Sequence, residues 1–279
     1  AFENFITSIP FYGFAALCID HPSVQKLLPA ASDRRVITYG LSANADVQAV
    51  NLSHEAGHMI FDVQLSDRIE IAVDRLENVQ FPMLGEHNVQ NCLAAISVCL
   101  EMAIDPAVIL SGLRQFKGVG RRFDFKGETD GITIIDDYGH HPVEIRAALS
   151  AGRMRAEQNK LIAVVQPHRY TRLRNLFSDF CACFNDADHV IVSDVYAAGE
   201  APIEGFERDD LVEGLRAWGH RSVHPMQEPN TLAGQINDLA TSGDVVICLG
   251  AGTVTQWASF LPQELALLRS ASVEKEDRE

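Results

Sequence analysis

The chain has 279 residues, 47% of them hydrophobic, enough for a sizeable core and about two domains. It carries 23 basic against 38 acidic residues, and a net charge of −15 excludes nucleic acid and anionic membranes as partners for most of the surface. Its six cysteines include no C-x₂-C pair, which argues against a zinc knuckle. They read as buried free thiols of a protein kept in a reducing cytoplasm. Neither a signal peptide nor a membrane span is visible.

Residues 1–9 read as a helix that Pro10 stops. The chain enters that pattern at Ala1-Phe2-Glu3 without an initiator methionine, so the expectation is an N-terminally truncated piece. Ala15 to Ile19 and Val36 to Tyr39 read as strands, with a short helix over 22–29 that starts at Pro22. Segments 47–52, 57–65 and 69–73 suggest an antiparallel meander. A helix is predicted over Asn88 to Met102, and a second one to Phe116 is opened by Asp105-Pro106. Gly118-Val119-Gly120 reads as a joint. Beyond it, strands near 132–135, 161–165, 189–193 and 244–249 alternate with helices. That alternation predicts a doubly wound, mostly parallel α/β sheet, followed by a charged, frayed tail after Leu268.

Polar residues concentrate where these strands end. Asp136-Asp137-Tyr138-Gly139-His140-His141-Pro142 follows the run Ile132 to Ile135, and Gln166-Pro167-His168-Arg169-Tyr170-Thr171-Arg172 follows Leu161 to Val165. In open α/β sheets the carboxyl ends of the strands receive ligands. Asp137 is placed to accept hydrogen bonds from a ribose. Tyr138, His140 and His141 are placed to orient a substrate or move a proton. Arg169 and Arg172 are placed to hold a carboxylate by bidentate contact, the plainer alternative being an exposed basic turn. Upstream, Asn88 and Asn91 share a helix face and offer the paired donor and acceptor that suit an adenine edge, or Asn88 simply caps its helix. In Gly120-Arg121-Arg122-Phe123 a guanidinium could stack on a base or pair with a carboxylate, the plainer alternative being a solvated hinge charge. Gly250-Ala251-Gly252-Thr253 offers a weak anion seat at a helix start, and Glu200 either lines the site or caps a helix. No G-x₄-G-K-[ST] phosphate loop occurs in the chain.

Six runs, Gly85–Asn91, Gly118–Phe123, Asp136–Pro142, Gln166–Arg172, Val195–Pro202 and Gly250–Gly252, together resemble the Mur ligases, the ATP-dependent amide-forming ligases of peptidoglycan precursor synthesis. The resemblance extends from Phe2 to about Leu265 and is nearest to the branch that joins L-alanine to UDP-N-acetylmuramate. It implies that residues 1–120 are the last part of the central ATP-binding domain and 121–279 a C-terminal Rossmann-like ligase domain. It implies ATP and Mg²⁺, the metal held mainly by residues outside this chain, so that the chain alone is expected to be inactive. His87, Asn88 and Asn91 are implied to contact adenine, with Arg122 nearby and Asp137 on the ribose. Tyr138, Arg169 and Arg172 would face the amino acid, with His140 and His168 as catalytic groups. Glu86 stands where the family pattern calls for a basic or small residue. The alternatives are the family branch that reattaches a tripeptide in muropeptide recycling, a non-catalytic nucleotide-binding module, and a metal hydrolase built on Asp136, Asp137, His140 and His141.

Overall fold

The computed structural model describes residues 2–276, which fall into two compact units that meet between Lys117 and Gly118. Within the first unit the elements are α1 (Phe2–Thr7), β1 (Phe14–Cys18), α2 (Pro22–Gln25), β2 (Arg35–Gly40), β3 (Val47–Glu55), β4 (His58–Leu65), β5 (Arg75–Phe81), α3 (Glu86–Glu101) and α4 (Pro106–Arg114). Strands β1, β2 and β3 are parallel, and β3-β4-β5 continue as an antiparallel meander in the order β1-β2-β3-β4-β5. α3 packs across β1 to β3 and α4 against β5. Val47, Phe61, Val63, Val79, Leu93 and Ile96 are almost fully buried between them. Each such side chain contributes about 1.5–3 kcal/mol.

Two expectations for this unit are corrected. The helix over 22–29 is only one turn, because Pro29 has no N–H to continue the ladder; a 3₁₀ turn, Leu28–Ala31, follows. Residues 69–73 are not a strand, and the third meander strand is β5. Its apolar alternation is broken by a bulge: Asn78 has φ 52°, and the pairing with β4 shifts between Phe61 and Val63.

Asp62 pins that bulge. It accepts from Asn51 Nδ2 (2.8 Å), from the Asn78 N–H (2.9 Å) and from Arg75. These donors hold its carboxyl down from 3.8 to about 2. Because the folded value lies below the unfolded one, the stabilisation is complete above about pH 4 and is lost as the pH falls through about 2. Asp62→Asn is therefore expected to remove the part of the acid unfolding transition of the first unit that falls in this window. Acid titrations of both proteins followed by circular dichroism check it.

The second unit contains β6 (Asp124–Thr129), β7 (Ile132–Asp137), α5 (Pro142–Ala156), β8 (Leu161–Val165), α6 (Tyr170–Asn175), α7 (Phe177–Cys181), β9 (His189–Val192), α8 (Arg208–Ala217), β10 (Val223–Pro225), α9 (Leu232–Leu239), β11 (Val245–Leu249) and α10 (Val254–Glu276). The sheet order is β10-β9-β8-β11-β7-β6, parallel throughout except for β6. Side chains alternate between two cores, as strands covered on both faces require. Leu161, Ala163 and Val165 of β8 point with Val245, Ile247 and Leu249 of β11 to the layer of α5, α7 and α8. Ile162, Val164, Val246 and Cys248 point to α9 and α10. The doubly wound reading holds. The edge strands β6 and β10 were not foreseen, and α10 extends to Glu276 where a frayed tail was expected after Leu268; residues 277–279 lie outside the described residues.

All six cysteines are free thiols. Burial pushes Cys92 and Cys183 up to about 12, which leaves them unreactive. Among the described residues no helix is long and apolar enough to cross a membrane.

Candidate functional site

Four parallel strands of the second unit end at one edge, and backbone hydrogen bonds tie their exits together. The Gly250 N–H donates to Asp137 O (3.1 Å), Gln166 N–H to Leu249 O (2.9 Å), and Tyr196 N–H to Pro167 O (2.8 Å). The exits of β7, β8, β9 and β11 therefore form one rim. Along it runs a row of rings: Tyr138 to His140 (5.1 Å between centroids), His140 to His168 (5.8 Å), and His168 to Tyr196 (5.4 Å, nearly parallel). Arg121 closes the row, with its guanidinium 4.7 Å from the Tyr138 ring centre.

Asp137 anchors the first strand exit. It is buried, with Oδ1 accepting from the Gly139 N–H (2.7 Å) and Oδ2 from the Phe123 N–H (2.8 Å). Burial raises its carboxyl above the ordinary value, against the two N–H groups and the nearby Arg122 charge. The bond to Phe123 holds a strained segment, since Arg121 and Phe123 have φ 61° and 48°, on either side of the exposed Arg122. Asp136 is fully buried. It accepts from Thr255 Oγ1 (2.6 Å), and Lys126 Nζ and Arg121 Nε lie 3.6 and 3.9 Å away. Its cations are in place, as a buried carboxylate needs.

The two candidate catalytic histidines have opposite proton arrangements, fixed by their neighbours. His140 Nδ1 lies 3.0 Å from the Tyr138 carbonyl, which can only accept, so the neutral form of this ring carries its proton on Nδ1 and leaves Nε2 a lone pair. His168 Nδ1 lies 3.1 Å from Arg172 Nη1, which can only donate, so this neutral ring carries its proton on Nε2. Burial first, then Arg172, His140 and Arg169, hold the His168 pKa below the ordinary value, which keeps the ring neutral at pH 7. Arg172 Nη1 also donates to His168 O (3.0 Å), so a single nitrogen of its five-donor fork serves both contacts. Arg169 is exposed at the start of α6 and lies 3.8 Å from Glu200. His141 serves as a helix cap: its Nδ1 accepts from the Val143 N–H at the start of α5, with Glu144 completing the capping box.

The helix start behind Gly250 to Thr253 already has a side-chain partner for one of its donors. Gln166 Oε1 accepts the Val254 N–H (3.1 Å) and its Nε2 donates to Thr253 Oγ1 (3.0 Å), so a neutral amide caps α10. A Cβ on Gly252 would lie 2.4 Å from Gln166 Oε1 and 2.7 Å from the Tyr196 ring. Gly252→Ala is therefore expected to displace both side chains and to destabilise the second unit by about 1–3 kcal/mol, read by denaturant unfolding.

The remaining candidates, His87, Asn88 and Asn91, form their own group at the start of α3 in the first unit. Asn91 is exposed and His87 half-buried, whereas Asn88 is buried and its Nδ2 donates to Leu84 O (2.8 Å). Gly85, not Asn88, holds the cap position. Glu86 occupies the first helical turn, where a carboxylate complements the helix dipole. Among the described residues no three His, Cys, Asp or Glu side chains are grouped to hold a metal ion, so the four residues of the hydrolase alternative do not form a centre. Sequence reasoning assigned no role to Tyr196 and did not single out Arg121 within its run; the contacts of both depend on distant strand exits.

Residues 1–99 match the family description "Mur ligase middle domain", and residues 121–252 match "Mur ligase, glutamate ligase domain". A relative from Granulibacter bethesdensis, a UDP-N-acetylmuramate–L-alanine ligase, is 55% identical over 97% of this chain and 56% of its own length. The chain thus spans little more than half of the curated relatives it matches. The crystal structure of the UDP-N-acetylmuramate–alanine ligase MurC of Thermotoga maritima superposes with a TM-score of 0.70 at 21% identity, covering 97% of this chain and 62% of that one. That of the MurF ligase of the same organism in complex with ADP gives 0.71 at 18% identity, covering 96% and 57%. At those identities the structural likeness speaks for the fold.

Proposed function

This chain belongs to the Mur ligase family, and on that premise we propose that it carries the amino-acid-receiving part of a cytoplasmic ATP-dependent ligase that joins L-alanine to the carboxylate of UDP-N-acetylmuramate. Residues 1–120 would be the nucleotide-facing end of a central ATP-binding domain and 121–279 the ligase domain.

One observation supports the chemistry most: two imidazoles 5.8 Å apart, with opposite proton arrangements, beside two arginines. In the proposed reaction the muramate carboxylate takes the terminal phosphoryl group of ATP, giving an acyl phosphate and ADP. The alanine nitrogen then attacks the acyl carbon, phosphate leaves, and an amide forms. Arg169 and Arg172 hold the alanine carboxylate, and Tyr138 packs beside it. His140, with its free Nε2 lone pair, takes the proton that the nitrogen must shed, and the His168 Nε2–H donates to developing negative charge. Positioning of this kind supplies much of the rate. Asp137 would accept from the ribose of ATP with Arg122 alongside, and His87 and Asn91 would meet the adenine, with Asn88 bracing their turn. The magnesium the family implies would be held mainly by residues outside this chain, where it would offset phosphate charge; among the described residues no three His, Cys, Asp or Glu side chains are grouped to hold it.

The test is a chimera in which residues 1–279 replace the matching 56% of the Granulibacter relative. ADP release that requires both UDP-N-acetylmuramate and L-alanine is expected. Release that requires a tripeptide instead of alanine would favour the recycling branch, and ATP binding without any turnover would favour a nucleotide-binding module.

A further inference from the structure

The run Val195–Pro202 has no role in the reading above, yet it is built onto the basic loop. The Tyr196 N–H donates to Pro167 O and the Arg169 N–H to Tyr196 O (2.9 Å), so the exit of β9 bridges to the loop on both sides of His168. The Tyr196 ring stacks on the His168 ring at 16° between planes, and its position over Gly252 leaves no room for a Cβ there. Four residues on, Glu200 accepts the Thr171 N–H (2.9 Å) and Thr171 Oγ1–H (2.7 Å), and faces the Arg169 guanidinium. Between these ties Arg169 has φ 71°, a conformation that a residue with a side chain keeps only when its surroundings over-determine it.

We propose that Tyr196 and Glu200 are positioning residues that clamp the loop of His168, Arg169 and Arg172, so that the His168 Nε2–H and both guanidinium groups are presented together to the amino acid. The purpose of the clamp rests on the amino-acid reading above; its geometry does not. The groups that face His168 are the Tyr196 ring, Arg172, Arg169, His140 and Glu200, and they act in different directions. The Tyr196 ring adds to the burial that lowers the His168 pKa, whereas the Glu200 charge raises it. Losing the ring therefore moves protonation of His168 up in pH, and losing the carboxylate moves it down. A residue that merely supports folding would not give opposite signs.

The experiment follows the ¹⁵N resonances of the histidines in the 279-residue chain as the pH is varied. His168 is expected as the Nε2–H form, protonating below 6.5. Tyr196→Leu should mix the two neutral forms and raise the midpoint, Tyr196→Phe should restore both, and Glu200→Gln should lower the midpoint. In the chimera, Tyr196→Leu and Glu200→Gln should each raise the KM for L-alanine about tenfold, the worth of one well-placed contact, and leave that for ATP nearly unchanged. Unchanged His168 resonances in Tyr196→Leu overturn the clamp. If that variant does not fold, the near-isosteric Glu200→Gln decides, and a midpoint that stays or rises overturns it. An alanine KM that Arg172→Lys leaves untouched overturns the amino-acid reading instead.

Discussion

Asp137→Ala is expected to weaken ATP binding by the chimera about ten- to hundredfold, the ~1.5–3 kcal/mol of hydrogen bonds to a charged acceptor. The loss has two parts. The carboxylate no longer reaches the ribose, and the N–H groups of Phe123 and Gly139 lose their acceptor. With the bond to Phe123 gone, the turn at positive φ keeps the ties of Arg121 but loses the one at Phe123, so Arg122 between them is held less firmly. Asp137→Asn should rescue only part, because an amide presents one oxygen where two N–H groups need acceptors. The alanine KM should change less than the ATP affinity. Calorimetric titration with ATP checks this, and unchanged nucleotide affinity with lost alanine affinity would move Asp137 to the other ligand.

Arg172→Lys is expected to raise the KM for L-alanine and lower kcat, although charge is preserved. A guanidinium can donate to His168 O and Nδ1 and still grip a carboxylate with its remaining N–H groups, whereas an ammonium is a point donor. Loss of a bidentate, charge-assisted contact predicts about a tenfold to hundredfold fall in kcat/KM for alanine. The KM for ATP should barely move. The same substitution removes the donor that selects the His168 proton arrangement, so kcat should fall as well as KM rise. Wild-type alanine kinetics would mean that Arg172 is a solvated surface charge.

The strands that carry the site were legible because both their faces are buried. Leu161 to Val165 and Val245 to Leu249 are unbroken apolar runs, Ile132 to Ile135 is interrupted only by the β-branched Thr133, and polar or glycine residues stand immediately after them. What escaped has physical causes. β5 and β6 are bulged, at Asn78 and beside Gly127, so neither keeps a period of two. β10 has three residues and includes a proline, tolerable only on an edge. The closure of Gln166 on Thr253 joins positions 87 residues apart, and no local pattern announces it. Local chemistry told only part as well: the glycines at 250–252 suit an anion in isolation, and a distant amide takes the first N–H of α10. Clusters confined to one strand exit, such as Asp137 to His141, could be read directly; the proton arrangements of His140 and His168 required neighbours from the fold.

The account stands most directly on the fate of one oxygen. UDP-N-acetylmuramate labelled with ¹⁸O in both carboxylate oxygens is incubated with the chimera, ATP and L-alanine. If the carboxylate is activated as an acyl phosphate and attacked by the alanine nitrogen, each amide formed leaves one labelled oxygen in the released phosphate and one in the amide carbonyl. Amide product with unlabelled phosphate, or ATP hydrolysis with no amide, would contradict it.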